Sequence, residues 1–308
     1  MITVVGEALV DLVVGADAVI TATPGGAPFN VARACARLGA PVSLVASVST
    51  DRFGQRLMAD LARDGVHTEQ VQRTERPTTL AVAELDAGGA ATYRFYLEGT
   101  SAVALATAPL PSTTRAVVAG GLGLAVEPMA STVERMVLAA ADDVLVLVDL
   151  NCRPGATDDR ECYLARLGRV LARADVVKAS VEDLAYTHPA MPAAVAAAQL
   201  VTARTQAVLL TAGAAATRVL TAAAEHVVPV DESPVVDTVG AGDGFTAGFL
   251  SWWIMSGRVV ADLGDVDSIR PAVEAAHAVA AVLLGRRGAD PPHRCELSAD
   301  WVPPNLVG

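Results

Sequence analysis

Residues 235–250 read VVDTVGAGDGFTAGFL, with one carboxylate, Asp243, set among Gly240, Ala241, Gly242 and Gly244. Glycines at a strand-to-helix turn leave backbone N–H groups bare, and such groups at a helix N-terminus bind phosphate oxygens. A carboxylate repels phosphate. Its place beside an anion cradle therefore suits a group that faces the nucleophile attacking the phosphate. A plainer reading is a loop entering a buried helix, where Asp243 would stabilise the helix dipole by about 0.3–1 kcal/mol. That reading leaves the glycines unexplained, since each costs roughly 0.8–1 kcal/mol relative to alanine inside a helix.

Three phosphate-binding schemes compete for this stretch. A P-loop needs GxxxxGK[ST], but Lys178 is the sole lysine of the chain and Val177 precedes it, which excludes that scheme. The dinucleotide fingerprint GxGxxG fails because Phe245 stands where the third glycine belongs. What remains is an anion hole with an embedded acid, in the form DTxGAGD.

Composition narrows the partners. A chain of 308 residues, 52% hydrophobic and 19% charged, has the balance of a globular enzyme. The net charge of -11 argues against nucleic acid or an anionic membrane as the main partner. No stretch reaches the roughly 18 consecutive apolar residues of a membrane helix, and the start MITVVGEALVDL lacks a basic leader, so a cytoplasmic protein is expected. Cys35, Cys152, Cys162 and Cys295 lack CxxC spacing and read as free thiols rather than a zinc site or disulfide framework.

The elements that would position Asp243 alternate. ITVVG, PVSLVASV, AVVAGGLGL, VLVLVDLN, VVKAS and AVLLTAG read as buried strands. Helices are expected over PFNVARACARLG, FGQRLMADLARDG, PMASTVERMVLAAA, ECYLARLGRVLARA, EDLAYTHP, the alanine-rich AAVAAAQLVTA and RPAVEAAHAVAAVLLG. Strands that are apolar throughout imply a parallel sheet covered on both faces, an α/β fold. TTLAVAEL and ATYRFYLE, joined by DAGG at 86–89, interrupt the alternation as a hairpin, and RVLTAAAEHVVPV reads as a shorter one. Ligands of open α/β sheets bind beyond the carboxyl ends of the strands, so DLNCRP, VVKASVED, LLTAG and the 235–250 turn are expected to converge.

DTVGAGDGFTAGFL together with GGAPFNVARACARLG at 25–39 strongly resembles the two signatures of the ribokinase-like (PfkB) carbohydrate and purine kinase family, and the similarity extends through GEALVDL, FYLEGTSA, DLNCRP, VVKASVEDL and RRGADPP. GEALVD and GGAPFN look most like the bacterial fructokinase and 2-keto-3-deoxygluconate kinase branches. The resemblance implies one kinase domain over 1–308: a three-layer α/β fold with a mainly parallel sheet and a small β lid from segments near 10–22 and 76–100. It further implies ATP-dependent phosphorylation of a sugar hydroxyl, with Asp243 as general base and the N–H groups of Gly240, Ala241 and Gly242 holding the phosphoryl charge.

Further roles follow from the same resemblance. Asp11, Gly25, Gly26 and Asn30 would contact the sugar, and Arg153 of DLNCRP would hold phosphate or substrate oxygens; the alternatives are an exposed turn aspartate, a tight turn and a surface salt bridge. Lys178, Ser180, Thr211, Gly213 and His277 would border the nucleotide, although a single histidine on an alanine-rich helix is ordinary packing. Glu182 and Asp183 would reach Mg²⁺ through water. Here SVED departs from the family's NxxE: Ser180 replaces Asn, and Asp183, one methylene short, replaces Glu. A K⁺ site near Asp237 is a family option, as is a homodimer through the lid edge.

The acceptor is expected to be a neutral hexose, with fructose the best single choice. In 2-keto-3-deoxygluconate kinases a YYR-like strand holds the substrate carboxylate, whereas this chain has Leu97 at the arginine's position. Kinases of 2-keto-3-deoxygluconate, ribose or a nucleoside are the near rivals. A non-catalytic sugar-responsive binding protein is the distant one, disfavoured by the intact GAGD.

Overall fold

Strands without polar alternation must be buried on both faces, and the computed structural model shows how. It describes residues 1–15, 17–85, 91–213, 215–231, 234–298, 301 and 303. The expected turn at 86–89 lies outside these residues. The strands in chain order are β1 (Ile2–Val5), β2 (Leu9–Val14), β3 (Ile20–Gly25), β4 (Val42–Ser49), β5 (Val71–Thr74), β6 (Leu80–Leu85), β7 (Ala91–Tyr96), β8 (Ala116–Gly120), β9 (Leu145–Asp149), β10 (Val176–Ser180), β11 (Ala207–Ala212), β12 (Ala215–Leu220) and β13 (Glu225–Val228).

Nine of them form one sheet in the order β13-β12-β11-β10-β9-β8-β1-β4-β5. Pairing is parallel from β11 through β5, and only β12 and β13 run antiparallel. Alternate side chains feed opposite layers. Ile2, Val4, Leu145 and Leu147 join one core with the helices Ala27–Arg37, Ala241–Met255 and Val266–Leu284. Val5, Val146 and Val148 join the other, under the helices Met129–Leu138 and Arg160–Leu171. Each fully buried large apolar side chain contributes about 1.5–3 kcal/mol.

The helix Val266–Leu284 begins four residues before the expected RPAVEAAHAV start. Asp265 caps it by accepting from the Asp267 N–H at 3.1 Å, and Pro271 falls inside it. Strand β5 answers to no expected element; VQRT is short and half-buried.

Four strands, β3-β2-β6-β7, make a second sheet. Its strands β2 and β6 pair in parallel, while β2–β3 and β6–β7 are antiparallel. Because β2 follows β1 after only Gly6, Glu7 and Ala8, the second sheet is tethered to the carboxyl edge of the first.

Candidate active site

Parallel pairing brings the ends of β1, β8, β9, β10 and β11 to one edge. Chain order reverses there: β1 is flanked by β4 on one side and β8 on the other, the switch point at which α/β sheets open a crevice. A small recess sits at this point, lined among others by Ala27, Gly120, Gly121, Asp149, Asn151 and Asp243.

The glycines of the 240–248 segment divide by function. Gly240 has a positive φ of 80° as the residue before the helix Ala241–Met255, and a Cβ there would stand 2.7 Å from the Ala289 Cβ. Gly244 and Gly248 face the helix Val266–Leu284: a Cβ on Gly244 would overlap Leu283, and one on Gly248 would come within 2.8 Å of the Ala276 Cα. Glycine at these three positions is required by a turn and a close helix contact. Gly242 is different, since a Cβ there would meet only the Lys178 Nζ, at 3.4 Å.

Of the expected N–H donors, Ala241 is engaged while Gly240 and Gly242 are open. The Ala241 N–H already donates to the Thr238 carbonyl at 3.3 Å. The amides of Gly240, Gly242 and Asp243 donate to no protein acceptor among the described residues. They are the open donors at this helix N-terminus.

Asn30 lies on the helix Ala27–Arg37, and its Nδ2 donates to Asp243 Oδ2 at 2.8 Å. Its own Oδ1 is buried without a partner. Burial pushes the Asp243 carboxyl up to about 6; Asn30 opposes this, Asp149 adds to it, and Lys178 and Arg153 oppose it. A base in that range is anionic at neutral pH yet far more willing to take a proton than an exposed aspartate.

Two further acids stand on the same side. Asp11 on β2 is pushed up to about 6 by burial against the pull of Arg153. A Cβ on Gly25 would overlap the Asp11 carboxylate, so glycine at 25 makes room for Asp11. Gly26 adopts φ 100° against the Glu7 backbone. Glu7, absent from the expected site, is 2% exposed, and burial lifts it to about 7. Arg153 forms no ion pair among the described residues; its Nη1 donates to the Cys152 carbonyl at 3.1 Å, and its charge acts on Glu7, Asp11 and Asp243.

Across the site the groups are paired. Lys178 on β10 donates to both oxygens of Asp149 on neighbouring β9, at 3.0 and 2.8 Å, and Thr246 Oγ1 donates to Asp149 Oδ2 at 2.9 Å. Sequence reading missed Asp149 and Thr246. The lysine, expected beside the nucleotide, is buried within this network under Gly242. Ser180 and Asp183 form a reciprocal capping box for the helix Val181–Thr187. Asp183 Oδ2 accepts from the Ser180 N–H at 2.8 Å and Oδ1 from the Cys152 N–H at 2.6 Å. Each oxygen of its carboxylate thus takes one backbone N–H. Glu182 is exposed beside it, and no cluster of three acidic, His or Cys side chains suited to a metal occurs among the described residues.

Thr211, next to last in β11, donates its hydroxyl to the Ala179 carbonyl at 3.4 Å, and Gly213 turns the chain at φ 59°. His277 hydrogen-bonds Thr217 through Nε2 at 2.8 Å and tilts against Phe245 at 5.5 Å between ring centroids; burial lowers its pKa. The ring is held by packing and by Thr217. Asp237 accepts from the N–H groups of Val239 at 3.0 Å and Gly288 at 2.8 Å, tying the RRGADPP loop to the turn.

In the second sheet Phe95 and Leu97 pack against the second core, and the Phe95 ring lies near Gly155. Arg94, on the opposite face of β7, is exposed beside Glu84 at 3.5 Å. No helix among the described residues is long and apolar enough to cross a membrane.

Comparison with known proteins places this geometry. Residues 1–294 match the pfkB family carbohydrate kinase pattern. A fructokinase of Rhizobium leguminosarum bv. trifolii is 34% identical over 263 residues, covering 82% of this chain and 79% of its own. The structure of a fructokinase from Xylella fastidiosa with bound ATP superposes with a TM-score of 0.85 at 30% identity, over 94% of this chain and 93% of that one. A fructokinase from Vibrio cholerae O395 with bound fructose, ADP and calcium ion gives 0.80 at 26% identity, over 94% of each chain.

Proposed function

The chain belongs to the pfkB family of carbohydrate kinases, and from that premise we propose that it transfers the γ-phosphate of ATP to a hydroxyl of fructose, with Asp243 as the base. The observation that carries this reading is the joining of Asp243 to both signatures: it heads a helix whose Gly242 and Asp243 N–H groups are open, and Asn30 of the first signature fixes its carboxylate.

In the proposed reaction a sugar hydroxyl bound among Asp11, Asn30 and Asp243 attacks the γ-phosphorus. The new O–P bond forms as the bond to the ADP oxygen breaks, and the hydroxyl proton passes to a carboxylate oxygen of Asp243. Asn30 orients that carboxylate and offers its unpartnered Oδ1 to a sugar hydroxyl. The open amides and helix dipole hold charge on the transferred group. Arg153 balances the acids and meets phosphate or sugar oxygens, while Lys178, Thr211 and Gly213 border the nucleotide.

Mg²⁺ bound to the phosphates would neutralise their charge. With Asp183 engaged by backbone, the protein residue near it is Glu182, acting through water. K⁺ near Asp237 and a homodimer through the second sheet stay within the proposal, as does a lid role for that sheet.

Leu97 favours a neutral acceptor. It packs against apolar neighbours, and Arg94 is turned away with Glu84, so neither meets a substrate carboxylate. The test is ADP release from ATP over a panel of fructose, 2-keto-3-deoxygluconate, ribose and nucleosides, with and without Mg²⁺ and K⁺. Turnover confined to ribose or a nucleoside contradicts the fructose reading, and no turnover with any sugar contradicts kinase activity.

A further inference from the structure

Glu7 is a buried acid that the reaction as drawn does not use. It lies in the three-residue link between β1 and β2, enclosed by the Gly25–Pro28 loop and the Gly121–Gly123 turn. A Cβ on Gly26 would come 3.0 Å from the Glu7 carbonyl oxygen, one on Gly121 3.8 Å from Oε1, and one on Gly123 3.7 Å from Oε2. Both segments thus approach Glu7 closely.

The helix Ala27–Arg37 begins without a cap of its own: Gly26 has no side chain, and the first turn holds no acid. Glu7 supplies one from another element, its Oε1 accepting from the Ala27 N–H at 3.3 Å. Its Oε2 is buried with no partner. An anion is favoured at this helix end by the dipole and disfavoured by burial. Three residues further along the same helix Asn30 holds Asp243, so the seat of Glu7 fixes where the base's partner stands.

We propose that Glu7 is a positioning residue for the acceptor site: as an anion it caps the helix Ala27–Arg37 and holds the Gly25–Pro28 loop and Asn30 in register with Asp243, and uptake of a proton loosens that hold. Burial places the transition near 7, opposed by Arg153 and reinforced by Asp243. Residues 25–28 and 120–124 include no charged side chain. Asp11 and Asp243 are raised by burial as well, to about 6.

The inference rests on the acceptor site proposed above, so its test has one arm that needs no acceptor. Hydrogen-exchange protection of the Ala27, Phe29 and Asn30 amides in the free enzyme should fall about threefold or more between pH 8 and 6.5 after correction for intrinsic rates. Over the same interval KM for fructose should rise about fourfold, following the loss of the competent fraction. Glu7→Gln, which keeps volume and an acceptor oxygen, should abolish the pH dependence of exchange and weaken that of KM. Glu7→Asp keeps the charge but is too short to reach Ala27, so it should lower protection already at pH 8. An unchanged pH dependence in Glu7→Gln, or wild-type protection at pH 8 in Glu7→Asp, overturns the proposal. Exchange behaving as stated while fructose is not phosphorylated would retain Glu7 and reject the acceptor.

Discussion

On the acceptor side, Glu7 Oε2 and Asn30 Oδ1 are buried without partners, and burial lifts Glu7 to about 7 and Asp11 and Asp243 to about 6. On the β9–β10 side, Asp149 takes three hydrogen bonds from Lys178 and Thr246, and Asp183 takes two from backbone. Both sides are rich in carboxylates, yet only one is completed by protein. Paired acids hold strands and helix starts together; the acids left short of donors are those proposed to meet a substrate's hydroxyls.

The sharpest way to break this comparison is to remove one acid from the open side. Asp243→Asn should cut kcat by about 10²–10⁴ while leaving ATP affinity near wild type, since the Gly242 and residue 243 amides remain. Near-normal turnover in a folded variant would end the assignment of the base. On the paired side, Lys178→Met should instead cost stability, about 3–5 kcal/mol, because Asp149 keeps a buried charge without its counter-ion. Urea unfolding measures this, and a loss below about 1 kcal/mol would mean that the pair is not what holds β9 to β10 there.

Substrate choice gives a smaller effect. kcat/KM should favour fructose over 2-keto-3-deoxygluconate by about tenfold or more, about 1.4 kcal/mol, and the opposite order would show that a cation other than the one missing at Leu97 binds the acid.

The smallest effect concerns stability against pH. For Glu7, Asp11 and Asp243 the folded pKa lies above the ordinary value, so the folded state holds the extra protons between about pH 4 and 7. Their contribution therefore favours folding at low pH and declines as pH rises through 6 to 7. Asp243→Asn removes one such penalty and should stabilise the ligand-free protein by on the order of 1 kcal/mol at pH 8, with the gain shrinking as pH falls and gone below about pH 4. Thermal melts at both pH values decide it; a destabilised variant at pH 8 would place Asp243 with the paired acids.

The same contrast governs what the sequence could reveal. Asp243, Asn30, Asp11 and the alternating apolar strands are local signals, readable from motif and period. The Asp149–Lys178 pair depends on the register of two strands 29 residues apart, which no local pattern encodes. Gly244 and Gly248 resemble ligand-binding glycines in sequence but are required by the neighbouring helix. For Asp183 the local signal was present: S-x-x-D at a helix start is a capping box, and that geometry governs its carboxylate. Glu7 could have been noticed as an acid directly after a buried strand, but its role needed the loop at 25–28 folded over it. Pro271 concealed the true start of its helix, because proline commonly marks a first turn.

The central claim is that the acceptor side lacks donors which the substrate supplies. Hydroxyls bonding to the ionised forms of Asp11 and Asp243 would favour those forms and lower their pKa values, so fructose binding at pH 6 should release protons. Calorimetric titration of the enzyme with fructose in buffers of different ionisation enthalpy measures this directly. Release of a fraction of a proton at pH 6, vanishing by pH 8 and diminished in Asp243→Asn, is the predicted result; no net release, or proton uptake, at pH 6 would contradict the account.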